Sequence, residues 1–225
     1  MSMLCLTFLL IIPFAAAENI DDNQTASNTG DILKETKDYY FNSSATTDGD
    51  GSLNNPYNCL RRDRIVTNST LHFADGEYYL YGRVGIDNVN IMGQSSEKTI
   101  IISDGFAFIV NGKITLNNVK LNNASILNYG DVEATDTVFA NGEGTIFTNG
   151  NSFGGAIYTE CIDENQDSRV TIRNCTFENN NALFRGAICM QTGLLEVYDS
   201  CFISNHAYFY GGAISCEYCA NMMIF

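Results

Sequence analysis

The segment Val170-Thr-Ile172-Arg-Asn174-Cys-Thr-Phe177 is followed 25 residues later by Leu195-Glu-Val197-Tyr-Asp199-Ser-Cys-Phe202. Two earlier segments superpose on both without gaps: Ile114-Thr-Leu116-Asn-Asn118-Val-Lys-Leu121 and Val132-Glu-Ala134-Thr-Asp136-Thr-Val-Phe139. The shared pattern is apolar, any, apolar, any, Asn or Asp, two variable residues, then Phe or Leu. Period-two alternation puts the first two apolar side chains on one face of a strand. Asn and Asp tolerate left-handed backbone and hydrogen-bond locally, so the fifth position reads as a bend. The large apolar residue three positions on then points inward from the next face. A further Asn follows in each copy, at Asn123, Asn141, Asn180 and Asn205, and marks a second bend.

A second signature recurs beyond the first, as Gly154-Gly-Ala-Ile157, Arg185-Gly-Ala-Ile188 and Gly211-Gly-Ala-Ile214. Gly and Ala allow close backbone approach, and Ile fills the interior. Phe139 to Phe177 spans 38 residues rather than 25. The excess falls into two insertions, a Gly/Asn-rich one at 141–152 and an acidic one at 160–167. Leu121 to Phe139 spans only 18, with Ala124-Ser-Ile126 in place of the Gly-Ala-Ile strand. A three-sided coil of about 25 residues, stacked at roughly 4.8 Å per turn, is a parallel β-helix. The expected fold is therefore all-β: a right-handed single-stranded parallel β-helix solenoid with Leu121, Phe139, Phe177 and Phe202 in one interior column. The general strand twist gives its hand.

Gly-Gly-Ala-Ile alternating with Phe-x-x-Asn, as in Phe177-Glu-Asn-Asn180 and Phe202-Ile-Ser-Asn205, resembles the repeat of polymorphic outer-membrane proteins. It is also similar to adhesin-like right-handed β-helix proteins of methanogenic archaea. Thr47-Asp-Gly-Asp-Gly51-Ser-Leu-Asn-Asn-Pro56-Tyr, Ala74-Asp-Gly76-Glu-Tyr-Tyr and Val89-Asn-Ile91-Met-Gly93 resemble the way such β-helices begin. The resemblance runs from Thr47 to the end. It implies surface display, adhesion or cell-wall association, with the repeat residues building scaffold, so it carries over no catalytic set.

Residues 4–14 are an apolar run followed by Ala15-Ala-Ala17 and Glu18. This has the shape of a signal peptide over 1–17 and is short for a membrane span, although no Lys or Arg precedes it. No later stretch reaches eighteen apolar residues. Residues 18–46 read as a flexible polar leader with a helical turn or two at 32–40, 47–88 as an N-terminal cap and first strands, and 89–225 as β-helix coils. Asn55-Pro56 reads as the start of a short capping helix reaching Ile65, with Tyr57 and Leu60 on one face. Asn221-Met-Met-Ile-Phe225 reads as a new coil that stops, which implies a longer native product. Secretion or surface location makes the sequons at Asn23, Asn42, Asn68, Asn123 and Asn174 glycosylation candidates.

The chain carries 12 Lys and Arg against 26 Asp and Glu, a net charge of −14. Its longest basic cluster is Arg61, Arg62 and Arg64. Phosphate-backbone binding needs clustered cations, so a nucleic-acid partner is excluded. Glu133 and Glu196, outward on their strands two turns apart, sit about 9.6 Å from each other at that rise. That is near the separation used by inverting glycosidases, but no Asp pair, Arg or catalytic His was identified beside them, and a solvated surface is the simpler reading. His72 and His206 lie in different regions. Asp48, Asp50, Ser52 and Asn54 resemble a calcium loop but have Leu53 and Cys59 at positions six and twelve, where Gly and Glu belong, so turn chemistry is preferred. The acidic insertion Glu160, Asp163, Glu164 and Asp167 reads as a hydrated loop. Cys216-Glu-Tyr-Cys219 lacks the second pair that structural zinc needs. Cys175 and Cys201, like Cys189 and Cys216, fall one position out of register, which argues against axial disulfides. No catalytic residue, metal or cofactor is assigned. The expected function is a non-enzymatic, adhesin-like surface protein whose repetitive acidic surface contacts host or microbial cells or polysaccharide. The alternatives are a polysaccharide lyase or hydrolase working in a groove along the strands, and a structural wall spacer.

Overall fold

The computed structural model describes residues 36–146, 150–162, 167–217 and 221–225. The signal segment, most of the leader and the centre of the acidic insertion lie outside them. The described chain is all-β, and no α-helix occurs among the described residues.

Eight strands form the first sheet, in the order Lys37–Phe41, Ser69–Phe73, Val89–Gly93, Lys113–Asn117, Asp131–Thr135, Arg169–Arg173, Leu194–Tyr198 and Asn221–Ile224. All pair in parallel, and the aligned motif residues lie in register: Leu71, Ile91, Leu116, Ala134, Ile172 and Val197 form one inward row. Each is at most 1% exposed. The alternation in the repeat thus does what period two requires, placing one side chain inside and the next in solvent.

The second sheet carries the large residues. Leu121, Phe139, Phe177 and Phe202 are register partners. The rings of Phe139 and Phe177 stack at 4.6 Å and those of Phe177 and Phe202 at 4.8 Å, with nearly parallel planes. The isoleucines of the second signature form a parallel row, Ile126, Ile157, Ile188 and Ile214, with Ser125 Oγ donating to the Gly155 carbonyl at 2.7 Å. A third sheet grows out of the Gly/Asn-rich insertion. There Thr145–Ile146 and Ser152–Phe153 pair antiparallel, and Phe153, Phe184 and Phe209 align across it.

The bends follow the sequence logic with one correction. Asn118, Asp136, Asn174 and Asp199, the fifth position of the motif, have φ of 52°, 49°, 50° and 47°. The second bend always falls two residues after the large apolar residue, at Asn123, Asn141, Asn179 and Ser204. Asn180 and Asn205 are therefore not at the bend. They lie one residue beyond it, with their amides turned inward: Asn180 Nδ2 donates to the Phe139 carbonyl and Asn205 Nδ2 to the Phe177 carbonyl, both at 2.9 Å. Asn180 N and Nδ2 both donate to Asn205 Oδ1 at 3.0 Å, and Gly142 N donates to Asn180 Oδ1 at 3.0 Å. This amide ladder satisfies backbone groups where the chain turns away from its neighbours. Close approach explains the glycine after Arg185, since a Cβ on Gly186 would sit 1.7 Å from the Gly212 carbonyl oxygen.

Two expectations about the N-terminal end need correction. Lys37–Phe41 is a strand paired with Ser69–Phe73, neither leader nor helical turn, and Phe41 is 1% exposed. The capping helix is absent: between Asn55 and Ile65 only a single 3-10 turn forms, Arg62–Arg64. Backbone pairing wins over helix here. Tyr57 N donates to the Tyr40 carbonyl, and Asn42 N donates to the Tyr57 carbonyl. The segment still packs Tyr57, Leu60 and Ile65 on the core.

Replacing Phe177, which is fully buried between two rings, with Ala should cost about 3–5 kcal/mol of unfolding free energy. Phe177→Leu, which reproduces the residue at Leu121, should cost roughly 1.5 kcal/mol or less. Urea denaturation of the two variants checks the order.

Candidate functional site

The outward row of the first sheet runs through Thr115, Glu133, Thr171 and Glu196. The register places the two glutamates two strands apart, as the alignment required. They are not the bare acidic ladder expected from sequence. Lys113 Nζ lies 2.7 Å from Glu133 Oε1, and Arg169 lies 3.5 Å from Glu196 Oε2. Thr171 Oγ1 donates to Glu196 Oε2 at 3.3 Å and the Tyr198 hydroxyl to Oε1 at 3.1 Å. Arg173 lies over the Tyr198 ring at 4.0 Å.

Two arginines therefore accompany the acids, which corrects the reading that none did. The signal was in the sequence: Arg169 and Arg173 flank Thr171 at i−2 and i+2, and period two puts all three on one face. Together with Thr135 these residues line a shallow groove of about 300 Å³. Its charges are mutually compensated, and both Glu196 oxygens accept hydrogen bonds. The arrangement presents alternating anionic, cationic and hydroxyl groups at strand spacing, a surface suited to hydrogen-bonding a polar polymer.

The other candidates separate. His72 sits on the first sheet, stacked on Tyr40 at 4.7 Å with Nε2 2.9 Å from Asp38 Oδ1, whereas His206 starts an exposed strand of the third sheet. The loop resembling a calcium site is organised by a cation of the chain itself. The Arg64 guanidinium, 8% exposed, pairs with both oxygens of Asp48, donates to the Cys59 carbonyl at 2.7 Å and lies over the Tyr57 ring at 4.1 Å. Its hydrogen bonds hold the Asp48 carboxyl below the usual range, and Ser52 N donates to Asp50 Oδ1 at 2.9 Å. Asp48 and Asp50 are thus occupied as turn formers. Among the described residues no group of three or more His, Cys, Asp or Glu is placed to hold a metal ion.

The sequons differ in access. Asn42 Oδ1 accepts from Ser44 N, and Asn68 Oδ1 accepts from Asn88 Nδ2, which leaves the acceptor nitrogen of each outside these bonds. Asn123 Oδ1 is buried and has no hydrogen-bond partner among the described residues, and Asn174 Nδ2 donates to Asp136 Oδ1. Asn23 lies outside the described residues. Expressed in a glycosylating host, the chain should carry glycans at Asn42 and Asn68 and none at Asn123, as read by peptide mapping with and without glycosidase.

The cysteine offset holds: Thr176 pairs with Cys201, Cys189 with Ser215, and Met190 with Cys216. Burial pushes the Cys175 thiol up to about 11 and the Cys189 thiol up to about 12. Neither is a reactive thiolate at neutral pH. Cys59 and Cys201 are exposed and should react with an aromatic disulfide reagent in the folded protein, while Cys175 and Cys189 react only after unfolding. The raised thiols also set an alkaline limit. Above the ordinary thiol range near pH 9 the unfolded chain loses protons that the folded chain keeps, so the melting temperature should fall as pH rises from about 9 to about 12.

No helix among the described residues is long and apolar enough to cross a membrane. No family model, curated protein or solved structure matches the chain.

Proposed function

We propose that the chain is a right-handed single-stranded parallel β-helix from an exported, non-enzymatic, adhesin-like surface protein. Its repetitive and on balance acidic exterior meets host or microbial cells or their polysaccharides. The observation that carries the reading is the in-register row of outward polar side chains on the first sheet, Thr115, Glu133, Thr171 and Glu196 with Arg169 and Arg173 beside them. A rigid array of donors and acceptors at strand spacing suits repeated weak contacts to a polymer, whose sum gives avidity. The apolar run at 4–14 and the net charge of −14 favour export and solubility.

One observation favours a second reading, a polysaccharide lyase or hydrolase: the same groove brings two carboxylates and two guanidiniums together. The two readings differ in turnover. Incubated with a panel of plant and bacterial polysaccharides, the protein should bind one or more in a pull-down and release no reducing ends or unsaturated products. The Glu133→Gln/Glu196→Gln variant should bind more weakly. Product formation that disappears in that variant would overturn the adhesin-like reading in favour of the enzyme.

A further inference from the structure

In a chain with 14 more acids than bases, three of the seven arginines line one cleft. A cleft of about 570 Å³ opens between the segment around the 3-10 turn and the chain after Gly76–Leu80, with Leu60 and Val84 at its floor and Arg61, Arg62, Asp63, Tyr81 and Arg83 around it. Arg61 is engaged by Asp63 through two hydrogen bonds at 2.7 and 3.1 Å. Arg62 and Arg83 are exposed, and among the described residues neither has a carboxylate within 4 Å. The nearby Asp104 carboxylate accepts from Gly82 N at 3.3 Å. The Arg83 guanidinium carbon lies over the Phe106 ring at 4.5 Å, a cation–π contact that restricts the head. Gly82 takes the left-handed φ of +71° that turns the chain beside the Arg62 head, and Gly85 faces open space. Beside the two cations stands Tyr81, 71% exposed, its ring stacked on Tyr79 at 6.3 Å and 15°.

We propose that this cleft binds a carboxylated saccharide, a uronic-acid unit or a similar acidic sugar of a larger glycan. Guanidinium groups meet a carboxylate bidentately, and a lysine or a neutral donor does not reproduce that geometry. The tyrosine supplies what a bare anion would not need: a flat apolar face for one side of a sugar ring, with a hydroxyl at its edge. The volume lies in the range of small-ligand sites. The cleft shares no residue with the Glu133 and Glu196 row and stands whether or not that row contacts a polymer.

Calorimetric titration of the full chain with tri-galacturonate, with a neutral trisaccharide of the same length and with inorganic sulfate tests this. Tri-galacturonate should bind, the neutral sugar should bind about tenfold or more weakly, and Arg62→Gln/Arg83→Gln should lose a similar factor, the scale of one charge-assisted contact. Tyr81→Ala should weaken tri-galacturonate binding and leave sulfate unchanged. Arg83→Lys, which keeps the charge, should recover only part of the affinity, and unchanged melting curves establish that these exposed-site variants fold. No binding of tri-galacturonate by the parent chain, equal binding by the arginine variant, or sulfate binding as tightly with no effect of Tyr81→Ala would each overturn the proposal. Weaker polysaccharide pull-down by the Glu133→Gln/Glu196→Gln variant is read separately from this titration, which keeps a failure here distinct from a failure of the surface-contact reading.

Discussion

Parallel, in-register pairing makes every inward side chain rest on its counterpart in the next copy of the motif. A residue is then chosen less by its own strand than by the neighbours roughly 4.8 Å above and below. Flat rings and branched aliphatic chains tolerate such self-stacking, and an unpaired polar group does not. Phe139, Phe177 and Phe202 satisfy the rule with aromatic rings that overlap almost face to face above Leu121, while Leu71 through Val197 satisfy it with aliphatic chains. Where the chain turns, the same rule applies to polar groups. Asn180 and Asn205 each spend an amide on a carbonyl of the preceding copy and bond to each other, so the buried Asn180 keeps its amide and its backbone N–H bonded.

The constraint leaves the outward positions free, and there the molecule becomes irregular. Successive outward residues in one row are Thr, Glu, Thr and Glu, with Lys113, Arg169 and Arg173 interleaved to compensate them. Insertions are accommodated in the same way. The Gly/Asn-rich segment extends a small third sheet with an antiparallel strand without disturbing the register of Ile126, Ile157 and Ile188. Scaffold and surface are thereby separated: interior residues set the stacking, and the exterior is open to whatever contact the protein makes.

The N-terminal end shows how local reading fails. Asn55-Pro56 has the chemistry of a helix start, yet Tyr57 is drawn into backbone pairing beside Phe41, and only Arg62–Arg64 completes a turn. Acids that look like cation ligands, Asp48 foremost, are committed to Arg64, sixteen residues on. Helix propensity and loop motifs are weak preferences, and tertiary pairing of an otherwise open sheet end outweighs them.

The order of residues alone determined the repeat, its inward and outward faces, the first bend and the phenylalanine column, because each follows from a two-residue period and from the few side chains that accept a left-handed backbone. It also determined the cysteine offset, a matter of counting. What only the tertiary structure decided are relations between distant segments that no period encodes. These include the pairing of Arg169 with Glu196, the strand at Lys37–Phe41, the inward turn of the Asn180 amide, and the meeting of Arg62 with Tyr81 and Arg83 at one cleft. Such contacts depend on which loop lies against which strand end, and that is settled by the stacking of the whole chain rather than by any short stretch of it.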